Sequence, residues 1–325
     1  VSELAFLATA AVLVAAGVRL ARDADALGTR SALGCTLVGG ALLAGVTSLP
    51  ELVTGLGATA VHGLPDVGVG AALGSCVVNL VFVVAIDVAG PGLGARVDGG
   101  HRVAAGFGIA MLAVAGVGLA AGDALPAVGW VGLPSVVLVV LYAGAMRESW
   151  RERTAGPRSE AVVSCETPPR RAALGFVGSA AIVVAAGLVL PPLADRVAAH
   201  TGLGGTFVGS VFVAGTTSLP ELVVSLAALR IGSPDLALAN LLGSNVFNLF
   251  VLALEDLAYA EGPLLPAASP AHLASPLTAI LMTAVVVIGL GGRESKRRSR
   301  ATPIALIAAA VAYPFLLQAW PVRAG

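Results

Sequence analysis

Thr47-Ser48-Leu49-Pro50-Glu51-Leu52-Val53 occurs twice in this chain, the second time as Thr217-Ser218-Leu219-Pro220-Glu221-Leu222-Val223. A second motif follows each copy. Leu73-Gly74-Ser75-Cys76-Val77-Val78-Asn79 matches Leu242-Gly243-Ser244-Asn245-Val246-Phe247-Asn248, and Asp87 matches Asp256. Seven identical residues at the same place in each half mark an internal duplication. Each copy also sits inside an apolar run, so a carboxylate is placed where the composition is most hostile to it.

The surroundings set the class. Hydrophobic residues make up 57% of the 325 residues and charged ones 12%, with a mean hydropathy of +0.92. A soluble domain carries about 25% charged residues. Runs of about 20 apolar residues cross hydrocarbon as helices, and the alternating ~10-residue segments of a membrane barrel are absent. The runs predict ten spans. Five cover 3–20, 32–57, 67–87, 103–121 and 126–146, and five cover 172–190, 206–229, 236–255, 271–290 and 301–320. The apolar residues 4–18 lack a basic leader region and read as the first span. The chain is therefore expected to be an all-α membrane protein of two five-helix repeats, 1–146 and 172–325, joined by a polar linker at 147–171. Five spans separate equivalent points. Five is odd, so the repeats must be inverted, a common plan of secondary transporters.

Charge gives the sidedness. Of the 19 Lys and Arg, 17 fall in alternate loops beginning after the first span, and only Arg196 and Arg323 fall opposite. The positive-inside rule places the 17, and the linker, in the cytoplasm and both termini outside, in a cytoplasmic membrane. Net charge is zero, which implies no nucleic acid or other polyanionic partner. Cys35, Cys76 and Cys165 show no disulfide or zinc spacing. The basic cluster Arg293–Arg300 reads as an anionic-lipid anchor. Lipid is the expected surrounding, with no cofactor and no obligatory protein partner.

The chemistry centres on Glu51 and Glu221, expected to be the only acidic residues deep in a span. An Asp at mid-helix costs roughly 2.5–3.5 kcal/mol on insertion scales, so such groups mark ion pathways. No basic residue lies inside a predicted span to pair with them, so a cation from solution is the expected counter-charge. Thr47 and Ser48 precede Glu51 by four and three residues, on nearly the same helix face, as Thr217 and Ser218 precede Glu221. Carboxylate, hydroxyl and carbonyl oxygens suit the hard cations sodium and calcium. Pro50 and Pro220 have no N–H for the carbonyls of Val46 and Thr216, and broken helices that aim carbonyls at a cation are a transporter device. Ser75 with Asn79, and Ser244 with Asn248, have i,i+4 spacing and so share a face. Gly70, Gly74 and Gly243 would let backbones approach closely. Asp87 and Asp256, near span ends, are expected to be wet. The four histidines lie in loops or at span ends, outside the motifs. No HExxH, G-x-S-x-G or Ser-His-Asp set marks an enzyme, and no pore-lining repeat marks a channel.

The paired T-S-L-P-E and G-S-x-x-x-N motifs resemble the alpha repeats of the sodium/calcium exchangers, of the short prokaryotic type, over nearly the whole chain. That resemblance implies four midplane ion sites between the second, third, seventh and eighth helices. By motif, Glu51 and Glu221 are the shared carboxylates. Thr47, Ser48, Thr217 and Ser218 are hydroxyl or backbone ligands, and Ala44 and Ala214 are carbonyl ligands. Ser75 and Ser244 complete outer sodium sites, and Asn79 and Asn248 the central cluster. The first and sixth helices would slide across the other eight. Two features depart from the family pattern. Asn248 stands where close relatives carry aspartate, and Val46 and Thr216 stand where they carry glycine. The function implied is sodium/calcium antiport. Calcium/proton antiport is the alternative, disfavoured because a proton needs no hydroxyl ligands.

Overall fold

In hydrocarbon a backbone N–H or C=O finds no water, so an apolar run must satisfy its own hydrogen bonds and coils into a helix. The structure, a computed structural model, describes residues 2–28, 45–89, 100–155, 169–230, 232–290 and 296–319. Seven helical stretches among them are long and apolar enough to cross a membrane. The protein is a multi-pass membrane protein.

The helices, in chain order, are α1 (Ser2–Gly28), α2 (Leu49–Leu56), α3 (Pro65–Ala89), α4 (Gly100–Ala121), α5 (Leu133–Ala155), α6 (Pro169–Thr201), α7 (Gly204–Phe207), α8 (Ala214–Thr217), α9 (Leu219–Arg230), α10 (Pro234–Ala258), α11 (Leu264–Ala267), α12 (Ala274–Leu290) and α13 (Lys296–Ala319). Wide π turns follow α2 at Gly57–Val61 and join α7 to α8 at Val208–Val213. A two-stranded antiparallel hairpin, Ala127–Val128 with Val131–Gly132, precedes α5.

Two helices lie at the centre. The most apolar windows of the α3 and α10 stretches are 78% and 72% buried, against 28–44% for the other five. Around them α4, α5, α12 and α13 build one core through Leu73, Leu80, Met111, Leu138, Leu249 and Met282. α1 and α6 pack on each other in a separate core of Leu13, Leu20, Val183 and Leu190. Leu4, Leu7, Leu174, Val177, Ile304 and Phe315 remain exposed on the perimeter, as expected of faces that meet lipid.

The helix ends meet at two faces. At one, Arg102 donates to the Leu290 carbonyl and His101 meets Asp235. Among the described residues Arg151, Arg170, Arg171 and Arg230 lie near the ends of α5, α6 and α9 that point to this face. The other carries the hairpin and is the hairpin face. There Ser2 meets His200, and Asp66 accepts from Ser269 N and His272 Nε2.

Three readings from sequence need correction. α6 runs on past Pro191 and Pro192 to Thr201 instead of stopping at 190. Pro192 has no N–H for Leu188 O, and the His62 ring supplies a hydrogen bond to that carbonyl instead, at 2.9 Å. The fifth span starts at Leu133, because Gly129, at φ 67°, turns the preceding residues into the hairpin. Asp256 is not wet. It is 1% exposed and accepts from Gly132 N at 2.8 Å and Leu264 N at 2.6 Å, fastening α10 to the hairpin and to α11.

Candidate functional site

Both copies of the heptamer break their helix at the serine. Ser48 (φ −89°, ψ 13°) and Ser218 (φ −83°, ψ −3°) lie in the sparsely allowed bridge region. Proline is the local cause. It cannot donate within a continuing helix but is tolerated in the first turn of a new one, and α2 and α9 begin at Leu49 and Leu219 with proline second. Glu51 and Glu221 therefore occupy the first turn of a fresh helix, where the dipole favours negative charge.

The two breaks meet in the centre and exchange partners. Ser48 Oγ donates to Glu221 Oε1 at 2.9 Å, and Ser218 Oγ donates to Glu51 Oε1 at 3.0 Å. The Thr47 and Thr217 hydroxyls sit against the same carboxylates, Glu221 and Glu51 respectively. Thr217 Oγ1 also lies 3.3 Å from the Ala214 carbonyl, which accepts Ser218 N–H at 3.1 Å. All six side chains are buried, Glu51 at 2% exposure and the other five at 0%. Ala44 lies outside the described residues.

α3 and α10 close the site from either side. Ser244 Oγ lies 3.3 Å from Ser48 Oγ. Asn79 Nδ2 donates to Asn245 Oδ1 at 3.1 Å, and Asn245 Nδ2 donates to the Cys76 carbonyl at 3.1 Å. Cys76 and Asn245 occupy equivalent positions of the repeat, so the two central helices are pinned at matching points. Their depth is also set by glycine. A methyl on Gly70 would meet Ser210 N at 3.0 Å, and one on Gly74 would run into the Ser210 carbonyl oxygen. Gly243 meets nothing within 4 Å among the described residues. The segment matching Gly209-Ser210 in the first half, Gly39-Gly40, lies outside them. On the third side α1 crosses both breaks at Gly17. A methyl carbon there would stand 2.8 Å from the ring of Pro220 and 3.4 Å from that of Pro50.

Five buried oxygens on α2, α3, α9 and α10 have no hydrogen-bond partner: Glu51 Oε2, Glu221 Oε2, Asn79 Oδ1, Asn248 Oδ1 and Ser75 Oγ. Buried polar atoms are almost always partnered. Oxygens without donors, beside two carboxylates, form the donor set that a hard cation completes. Among the described residues no three His, Cys, Asp or Glu converge, so ligands beyond the two carboxylates would be neutral oxygens.

Hydrogen bonds thus bring Thr47, Ser48, Glu51, Thr217, Ser218, Glu221 and Ser244 together, while Asn79 pairs with Asn245 and Ser75 and Asn248 are buried on the two central helices. Asn245, the counterpart of Cys76 in the second motif, joins them without being among the residues expected from sequence. So does Asn240, which donates to the Glu221 backbone carbonyl at 3.2 Å and to Ser225 Oγ at 3.1 Å. Glu51 and Glu221, expected to be the only deep acidic residues, are not alone. Glu255 is a third, at 0% exposure. Its spacing of seven residues from Asn248 puts it on nearly the same helix face, but the predicted span ended there.

The sodium/calcium exchanger protein description matches residues 2–147 and 171–317, both halves of the duplication. The chain belongs to the sodium/calcium exchanger protein family. The sodium/calcium exchanger MaX1 of Methanosarcina acetivorans is 37% identical over 97 residues, 30% of this chain and 27% of that protein. The chain spans less than half the length of two of the curated relatives it matches. Among solved structures, the H+/Ca2+ exchanger CAX superposes with a TM-score of 0.67 at 14% identity, covering 98% of this chain and 88% of that one. The sodium-calcium exchanger NCX_Mj gives 0.61 at 22%, covering 95% and 97%. At such identities these likenesses speak for the fold.

Proposed function

We propose that this protein exchanges sodium for calcium at the Glu51–Glu221 cluster, in two inverted five-helix halves (1–146 and 172–325) joined by 147–171, in a cytoplasmic membrane with the linker inside. The observation that carries the reading is the exchange of partners between the breaks, Ser48 to Glu221 and Ser218 to Glu51. It makes one symmetric site from both halves. Two carboxylates give −2, which balances one Ca²⁺. Sodium ions compete for the same carboxylates and use the neutral oxygens of Thr47, Thr217, Ser75, Ser244, Asn79 and Asn248. Antiport follows if the protein changes face only when its charges are compensated. Glu51 and Glu221 are the primary ligands, and the lipid bilayer is the only other partner required.

Calcium/proton antiport is the second reading, supported by the likeness to the H+/Ca2+ exchanger CAX. The test is ⁴⁵Ca²⁺ uptake into proteoliposomes. A sodium gradient at constant pH is expected to drive it. Uptake that follows a pH gradient and ignores sodium would replace sodium with the proton.

Two further outcomes are expected. Asn248→Asp adds an ionisable group to a site whose amide cannot titrate, so calcium flux against pH should depart from the parent profile. Identical profiles would remove Asn248 from the cluster. Gly17→Val puts bulk against Pro50 and Pro220 where α1 crosses the breaks. If α1 and α6 slide over the rest, turnover should fall about tenfold or more with equilibrium calcium binding kept within about twofold. The tenfold corresponds to about 1.4 kcal/mol on the barrier. Unchanged turnover would mean that α1 does not move across the site.

A further inference from the structure

The two halves differ at one place that the central site does not use. Glu255 lies two turns past Asn248 on α10, toward the hairpin face, and is fully buried. Neither of its carboxylate oxygens accepts a hydrogen bond. The carboxylate is set between two glycines of neighbouring helices. A methyl on Gly55 of α2 would overlap Oε1, and one on Gly68 of α3 would come within 3.2 Å of Oε2. The same methyl on Gly68 would stand 3.5 Å from the Gly55 carbonyl oxygen. Thr59 Oγ1 bonds that carbonyl at 3.0 Å. Gly55 follows Glu51 by four residues, so Glu255 is about one helical turn, ~5–6 Å along the axis, from the central carboxylate.

The equivalent place in the other half is closed. The repeat offset of 169 or 170 residues matches Glu255 with Ile86, Gly55 with Ser225 and Gly68 with Ala237. Ile86 is apolar and 3% exposed. Ser225 Oγ donates to the Ala237 carbonyl at 3.3 Å and accepts from Asn240 Nδ2 at 3.1 Å. Side chains that would fill the first-half pocket are present in the second, and hydrogen bonds use up their polar atoms. Of these two matching positions only Glu255 carries a carboxylate. Both π turns also lie in the half of the molecule toward the hairpin face.

We propose that Glu255, with the Gly55 carbonyl and the Thr59 hydroxyl, is a one-sided cation post between the central site and the hairpin face. It holds one hard cation of the transported class, sodium or calcium, on its way to or from Glu51. This rests on the reading of Glu51 and Glu221 as the cation site. A carboxyl in an apolar bundle without any donor must either hold a proton or be balanced by a cation, and the glycines at 55 and 68 let it lie directly against α2 and α3, close to the Gly55 carbonyl and to Thr59.

The test is ⁴⁵Ca²⁺ exchange in proteoliposomes of uniform orientation. Orientation is selected through a Val128→Cys tag in the hairpin, with Cys35 and Cys165 changed to Ser. Parent exchange from both faces is the control. Its absence refutes the central-site reading and is distinct from any result at Glu255. Glu255→Gln is expected to raise half-saturating calcium about fivefold or more at the hairpin face, and to leave the opposite face within about twofold. Glu255→Asp should fall between parent and Gln at the hairpin face. Gly55→Ala, which displaces the carboxylate, should behave as Gln does and carries the comparison if the Gln protein is not monodisperse. Parent-like values at both faces would mean that Glu255 is a packed acid or holds only a proton. Equal rises at both faces would mean that it acts on the central site. Either overturns the proposal.

Discussion

Glu51→Gln and Glu221→Gln each abolish calcium exchange, lowering sodium-driven ⁴⁵Ca²⁺ flux by about 100-fold or more, while the protein keeps its monodisperse size-exclusion peak. The amide has the shape of the carboxylate and still offers an oxygen to Ser218 or Ser48, so the crossed hydrogen bonds at 3.0 and 2.9 Å survive. What disappears is charge. Removing one partner of a buried ionic interaction typically costs 3–5 kcal/mol, and about 3 kcal/mol is already about 100-fold in affinity. Because each carboxylate takes its serine from the other half, the two substitutions should be equally severe. Near-normal flux in either variant would remove that carboxylate from transport. A defect in only one would mean that the two halves do not share the load.

Gly74→Val should fail at an earlier step, in folding. The Gly74 position has no room for a side chain, since even a methyl would run into the Ser210 carbonyl oxygen and approach Ser210 Cα to 2.7 Å. The obstacle is backbone of the π turn Val208–Val213, which has no rotamer to yield. Overpacking a tight core costs about 1–3 kcal/mol, and here α3 itself must move off the second half. The expected readout is loss of the monodisperse peak, or a fall of about 10 °C or more in the melting midpoint in detergent. Gly106→Ala is the control, since a methyl there meets nothing within 4 Å among the described residues. A Gly74→Val protein as stable as parent would mean that α3 and the π turn are not in contact in the membrane.

The helical membrane class was legible because bilayer thickness imposes a length on every apolar run, and length is a property of sequence. The duplication was legible as identity of letters. So were the positions at which the helices break, because a proline without an N–H acts within four residues of itself. The misreadings were of another kind. The sixth span is expected to end at 190, before Pro191, but α6 continues because His62, distant in the chain, satisfies Leu188 O. Asp256 looked wet near a helix end, yet the hairpin and α11 fold over it. Glu255 stood next to it and was overlooked for the same reason.

By itself the sequence determined which residues carry oxygen and charge, on which helix face, and that they come as two sets. Only the tertiary structure decided which atoms meet. The serine of each heptamer serves the glutamate of the other copy, across 173 and 167 residues, not the glutamate three residues along its own helix. Periodicity reports neighbours on one helix and is blind to how two helices cross. That crossing depends on where glycines let backbones touch, at Gly17, Gly70 and Gly74. It also leaves the two approaches to the site unequal, with Glu255 beside one and Ile86 at the matching place in the other.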